Sequence, residues 1–301
     1  MTNSNQYIFT DCDLDGAGSY LTYQWASGIK DIPYTVCRVN DLLTRIKTFL
    51  QTKKIEDYDR VLFFDLDTST EEIRDLIDKP NVTIVDHHIS NDTSTVKYEH
   101  AKLIVKDSTS TCRLIYTELN EHKFTPEQKL FVALVNDYDS YQLKVPISKE
   151  LNTVFWGYQG DRVQKLVRDF PQGFNGFNKF HDNIITIKRK ELTNLLNSLE
   201  IYTGNIKTKK HEFKVASAVA TTFINDVADY IAEKTSADVS MVVNTKSNKV
   251  SFRRRAGADD VSMVKLAGML TEESGGHEAA SGGILCDKFM VFTKTLTPYS
   301  S

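Results

Sequence analysis

Asp86-His87-His88 closes the β-branched run Val82-Thr-Ile-Val85. A short buried strand that delivers a carboxylate and two adjacent imidazoles to its end calls for a charged partner, most simply a metal ion or a phosphate. Two other apolar runs end alike. Tyr7-Ile-Phe-Thr10 leads into Asp11, Asp13 and Asp15, and Val61-Leu-Phe-Phe64 leads into Asp65 and Asp67. Oxygen donors with one or two imidazoles suit Mn2+ or Mg2+ better than a thiolate zinc site. Several gathered carboxylates need more positive charge than one divalent ion supplies, so two ions sharing a bridging carboxylate are expected. Any one of these acids taken alone reads equally well as a helix cap or turn residue. Their recurrence at successive element ends carries the weight. Asp11-Cys-Asp-Leu-Asp-Gly16 has the opening of a calcium-binding EF-hand loop, but its twelfth position is Thr22 and a strand-like run precedes it, which excludes that reading.

Positioning such groups requires a sheet with its strand ends on one side. Helical patterns over 16–28, from Asn40 through Leu42, Leu43, Ile46, Phe49 and Leu50, and over 70–78 alternate with strand-like 34–39, 61–64 and 82–85. That alternation predicts a parallel sheet with crossover helices, whose ligands gather outside the carboxyl ends of the strands. Ser108-Thr-Ser-Thr111 offers caps for a helix through Leu119, and Pro126 suits the first turn of another that runs to Asn136-Asp137. From about residue 145 the texture changes. Glycines 157, 160, 173 and 176 stand among aromatics, read either as the packing of a connecting segment or as a base-stacking surface. An amphipathic helix over 182–200 suits an interdomain spacer. Strands at 215–220, 239–243 and 249–253 with helices at 223–234 and 262–270 suggest a second α/β unit, followed by the glycine-rich run 275–283. The expected organisation is α/β, with a parallel-sheet domain over 1–145, a helical linker over 146–209 and a smaller α/β domain over 210–301.

The 301 residues, 41% hydrophobic with a net charge of −3, suit an ordinary globular core and show no basic footprint for long duplex DNA or an acidic membrane. Four dispersed cysteines without C-x-x-C spacing read as reduced thiols. The first residues have neither a basic nor an apolar signal segment, and no run approaches the roughly 18–20 apolar residues of a membrane span. A cytoplasmic protein is expected. No G-K-[S/T] occurs, which excludes a Walker phosphate loop.

With these motifs in order, the chain resembles the DHH phosphoesterases, named for the triplet seen here as Asp86-His87-His88. The other family motifs correspond to 11–16, Asp65, Asp137-Tyr-Asp-Ser-Tyr141, the Ser251-Phe-Arg253 strand and Gly275-Gly-His-Glu-Ala-Ala280 of a DHH-associated domain. The resemblance spans about 5–145 and 210–290. It implies Asp11 or Asp13 with Asp65 on one ion, and Asp15, His87 and Asp137 with Asp65 on the other. It further implies His88 acting beside them, and Arg253, Gly275, Gly276 and His277 gripping a substrate phosphate in a cleft between domains. Phe9 replaces the histidine that opens motif one in nanoRNase-like members, and Ser281 interrupts the usual A-A-G. The implied activity is a Mn2+- or Mg2+-dependent phosphodiesterase or exonuclease on short single-stranded oligonucleotides or small nucleotides. Alternatives within the fold are a 3′,5′-bisphosphonucleotide phosphatase and a cyclic-dinucleotide phosphodiesterase. From another class comes a nucleotide-binding regulator without turnover.

Overall fold

The structure is a computed structural model describing residues 4–38, 40–88, 97–106, 109–119, 123–207, 212–255, 257–258 and 260–299. Val39 and Ser108, expected at a strand end and in a helix cap, lie outside the described residues. The chain divides into two units, Met1–Ile185 and Thr186–Ser301.

Among the described residues, the first unit is built on β1 (Gln6–Asp11), β2 (Tyr34–Cys37), β3 (Arg60–Phe64), β4 (Val82–Asp86) and β5 (Lys102–Val105), all parallel, in the order β2-β1-β3-β4-β5. Both faces are covered, so the strands read as near-continuous apolar runs. Ile8, Leu62, Phe64 and Val85 face one core with α1 (Leu14–Ser27), while Tyr7, Phe9, Phe63 and Ile84 face the other with α2 (Leu42–Leu50) and α3 (Glu71–Ile77). Phe9 and Phe63 stack across the strands at 4.8 Å. The first face is completed by α4 (Thr111–Glu118), α5 (Pro126–Asp139), α6 (Pro146–Gly157) and α7 (Arg162–Asp169). Thr125 and Gln128 form a capping box around Pro126, as the first-turn proline predicts.

The expected linker over 146–209 is not one. Leu151, Val154, Phe155, Tyr158, Leu166, Phe170 and Phe174 are buried in the same core as Ile8 and Leu62, so this stretch completes the first unit up to Ile185. The buried aromatics of 151–181 are therefore packing, whereas Trp156 and Phe180 are exposed. Helix α8 (Lys179–Asn197) begins at Asn178, whose Oδ1 accepts from Phe180 N and His181 N.

In the second unit, β6 (Ile201–Lys207) already belongs to the sheet. With β7 (Glu212–Val219), β8 (Val239–Asn244), β9 (Lys249–Arg254), β10 (Glu272–His277), β11 (Ala280–Ile284) and β12 (Thr297–Pro298) it forms the order β10-β11-β9-β8-β7-β6-β12 among the described residues. β7 and β8 pair in parallel through α9 (Ile224–Thr235), which covers one face, and the other pairs are antiparallel. Helices α10 (Met263–Leu270) and α11 (Asp287–Thr293) cover the other. Among the described residues no helix is long and apolar enough to cross a membrane.

Candidate metal centre

Parallel pairing brings the strand ends to one level. Thr10 is level with Phe64 and Phe64 with Val85, so Asp11, Asp65 and Asp86 follow side by side. The chain turns outward from β1 to β2 but returns to the far side of β1 for β3, with α1 and α2 on opposite faces. That reversal opens a crevice at the carboxyl ends of β1 and β3.

The D-x-D-x-D-G run fills this crevice with three acids in three roles. Asp11 ends β1, Asp13 caps α1 by accepting Gly16 N at 2.9 Å, and Asp15 lies in the first turn. The Asp15 oxygens accept Thr111 N at 2.7 Å and Cys112 N at 2.9 Å, the opening amides of α4. A Cβ at Gly16 would sit 2.5 Å from the Asp11 carbonyl oxygen, so α1 can start against the strand end only with glycine.

Asp65 sits just past β3 in the left-handed region, φ 59°. Its Oδ1 lies 3.3 Å from His87 Nε2 and 3.8 Å from His88 Nδ1, and accepts Thr111 Oγ1 at 3.3 Å. His87 Nε2 also lies 3.3 Å from Asp139 Oδ2 and 3.9 Å from Asp15 Oδ2. Asp86 Oδ1 accepts both His87 N and His88 Nδ1 at 2.8 Å, which orients the second imidazole. Three overlapping groups result: Asp11, Asp13 and Asp65; Asp15, His87 and Asp139; and Asp65, Asp86, His87 and His88. Within each, the donor atoms lie within 4.8 Å of one another.

Burial, then the neighbouring Asp13 charge, pushes Asp11 and Asp15 up to about 7. Asp65 and Asp139 rise well above the usual carboxylate range, again through burial first and the surrounding acids next. Burial opposes a charge on His88, yet the Asp86 hydrogen bond and the acids Asp86, Asp13 and Asp15 prevail, pushing it up to about 9. Among the described residues, two buried oxygens of the cluster, Asp11 Oδ1 and Asp139 Oδ2, have no hydrogen-bond partner, although His87 Nε2 stands 3.3 Å from the latter. Buried carboxylate oxygens are normally satisfied. Orphaned acceptors within a repelling cluster of acids and an imidazole are the donor set that a hard divalent cation takes.

The structure brings Asp11, Asp13, Asp15, Asp65, His87 and His88 together but corrects the expectation for Asp137. Its carboxylate accepts Lys144 N, Val145 N and Ser148 Oγ at 3.0, 3.1 and 2.7 Å, closing the turn from α5 to α6. Burial alone would raise Asp137, but these three hydrogen bonds outweigh it and hold the carboxyl below its usual range. The acid that α5 contributes to the cluster is Asp139, the second of the Asp-Tyr-Asp pair. Asp67 is a turn residue, accepting Ser69 N at 2.9 Å.

In the second unit, His277, Ala280 and Arg253 share one level across β10, β11 and β9. The His277 side chain lies outside the described residues. Arg253 donates from Nη2 to Asn225 Oδ1 at 2.7 Å and from Nη1 to Phe252 O at 2.8 Å. Gly276 has φ 131°, and a Cβ there would meet Ala280 O at 2.6 Å, whereas a Cβ at Gly275 would meet nothing within 4 Å. Ser281, the departure from the A-A-G pattern, donates from Oγ to Gly275 O at 2.7 Å.

Residues 5–138 match the model of the DHH family, N-terminal domain. Among solved structures, the chain is similar to a pGpG-specific phosphodiesterase, PggH, from Vibrio cholerae, with TM-score 0.57, 11% identity and 96% of each chain covered. It is also similar to exonuclease RecJ bound to manganese, with TM-score 0.53, 14% identity, and 97% of this chain and 89% of that one covered. At these identities the likeness is one of fold. No curated protein sequence matches. The Asp86-His87-His88 triplet and most of the acids gathered beside it fall within the matched stretch: over residues 5–138 this chain carries a domain that matches the DHH family, N-terminal domain.

Proposed function

We propose that the chain is a metal-dependent phosphodiesterase that hydrolyses short oligonucleotides or small nucleotide phosphoesters with two Mn2+ or Mg2+ ions. The observation that carries this reading is the convergence of Asp11, Asp13, Asp15, Asp65, His87 and Asp139, with orphaned carboxylate oxygens among them. Asp11, Asp13 and Asp65 would hold one ion, and Asp15, His87 and Asp139 the other, with Asp65 shared. Bound there, the ions would lower the pKa of a water and neutralise phosphoryl oxygens. His88, held by Asp86, would keep a proton for the leaving oxygen. Arg253 carries a fixed positive charge suited to a phosphate, with Gly276 letting backbone approach it.

A DHH domain and a fold shared with an exonuclease and a dinucleotide phosphodiesterase support short nucleotidic substrates. The test is hydrolysis with Mn2+ of labelled di- to pentanucleotides, 3′,5′-bisphosphonucleotide and cyclic dinucleotides, comparing wild type with Asp65→Ala. Turnover of at least one substrate that falls more than 100-fold in the variant is expected. Equal rates in both proteins would end the reading of Asp65 as the shared ligand.

A further inference from the structure

We propose that Thr111 is a positioning residue that ties the two halves of the centre together. This rests on the reading of the cluster as a cation site. Thr111 is fully buried and stands at the first position of α4, capped by Ser110, whose Oγ accepts Arg113 N. Its amide donates to Asp15 Oδ2 at 2.7 Å while its hydroxyl donates to Asp65 Oδ1 at 3.3 Å. One residue thus touches, by its amide and by its hydroxyl, the acids delivered by α1 and by the end of β3.

Each acid needs such a tether for its own reason. Asp65 occupies a left-handed backbone conformation, φ 59°, that L side chains adopt infrequently. Its carboxylate must be held from outside if the side chain is to keep one orientation. Asp15 is fully buried, and the paired amides of Thr111 and Cys112 fix both of its oxygens. The level of α4 is in turn set by Asn136, whose Oδ1 accepts Ser110 N and Thr109 Oγ1, each at 2.9 Å. Asn136 lies one turn before Asp139 on α5, so the helix that supplies one donor also fixes the residue that aligns two others.

Thr111→Val keeps the shape and the amide but removes the hydroxyl, and Thr111→Ser keeps both donors. Mn2+ binding by calorimetry and by electron paramagnetic resonance, with melting temperature and steady-state kinetics, separates the possibilities. The valine variant should melt close to wild type, bind Mn2+ about tenfold more weakly or lose one equivalent, and drop in kcat with little change in KM. The serine variant should restore all three. A valine variant with wild-type Mn2+ affinity, whether or not it melts lower, overturns the positioning role and leaves the cation centre standing. A serine variant as impaired as valine overturns the part given to the hydroxyl. If wild type binds no divalent cation, the reading of the centre falls first, and this inference with it.

Discussion

At the scale of single residues, Asp137 and Asp139 show where chemistry was legible and where it was not. The run Asp137-Tyr-Asp139 stood out in the sequence, and the family resemblance pointed to Asp137 as the ligand. Two residues apart on a helix, they point about 200° away from each other, and spacing alone does not say which faces the sheet. Packing decides: Asp139 meets His87, and Asp137 meets the Lys144 and Val145 amides just before α6. Asp139→Asn should lower Mn2+ affinity and turnover by 10- to 100-fold. Asp137→Asn should leave Mn2+ stoichiometry intact and cost about 1–3 kcal/mol of stability by denaturant titration. Acidity gives a second check. Asp11 and Asp15 are raised in the folded, metal-free protein to about 7, from 3.8. Raised carboxyls contribute stability that is full below the unfolded value and lost as pH rises through the folded one. Bound cation needs the deprotonated forms. The gap in melting temperature between Mn2+-loaded and chelator-treated protein should therefore widen from pH 5.5 to 8. A constant gap would mean that these acids do not titrate with the ion.

Among elements, the strands and their acidic ends were the most readable part, because strands buried on both faces announce themselves as short apolar runs. The contribution of α4 was harder to see. A Ser/Thr-rich helix start signals a cap, but nothing in Ser-Thr-Ser-Thr says that the next amides reach an aspartate 96 residues earlier. Helix α1 carries the clearest steric dependence. It begins against the strand that precedes it, with only Gly16 fitting beside the Asp11 backbone. Gly16→Ala must push apart backbone, not a side-chain tip. A loss of about 1–3 kcal/mol is expected, together with weaker Mn2+ binding, since Asp13 and Asp15 move with the helix. Calorimetry on the folded fraction would expose a variant that loses stability but keeps the ion.

For the molecule as a whole, the two-unit plan was readable but its boundary was not. Short amphipathic helices with aromatics look alike whether they bridge two bodies or finish one, and only the shared core of Leu151, Phe155 and Phe170 with Ile8 and Leu62 tells them apart. A fragment of residues 1–185 should unfold cooperatively and bind Mn2+, whereas 1–145 should show neither property, as read by circular dichroism and cation titration. Asp65 has a consequence at this scale too. Its carboxylate is crowded by other buried acids, and an ion bound there, as proposed, would favour the native form by offsetting their repulsion. Mineral supply would then set how long each molecule survives: chelated protein opens more often near its crevice and offers itself to proteases sooner than the charged form does.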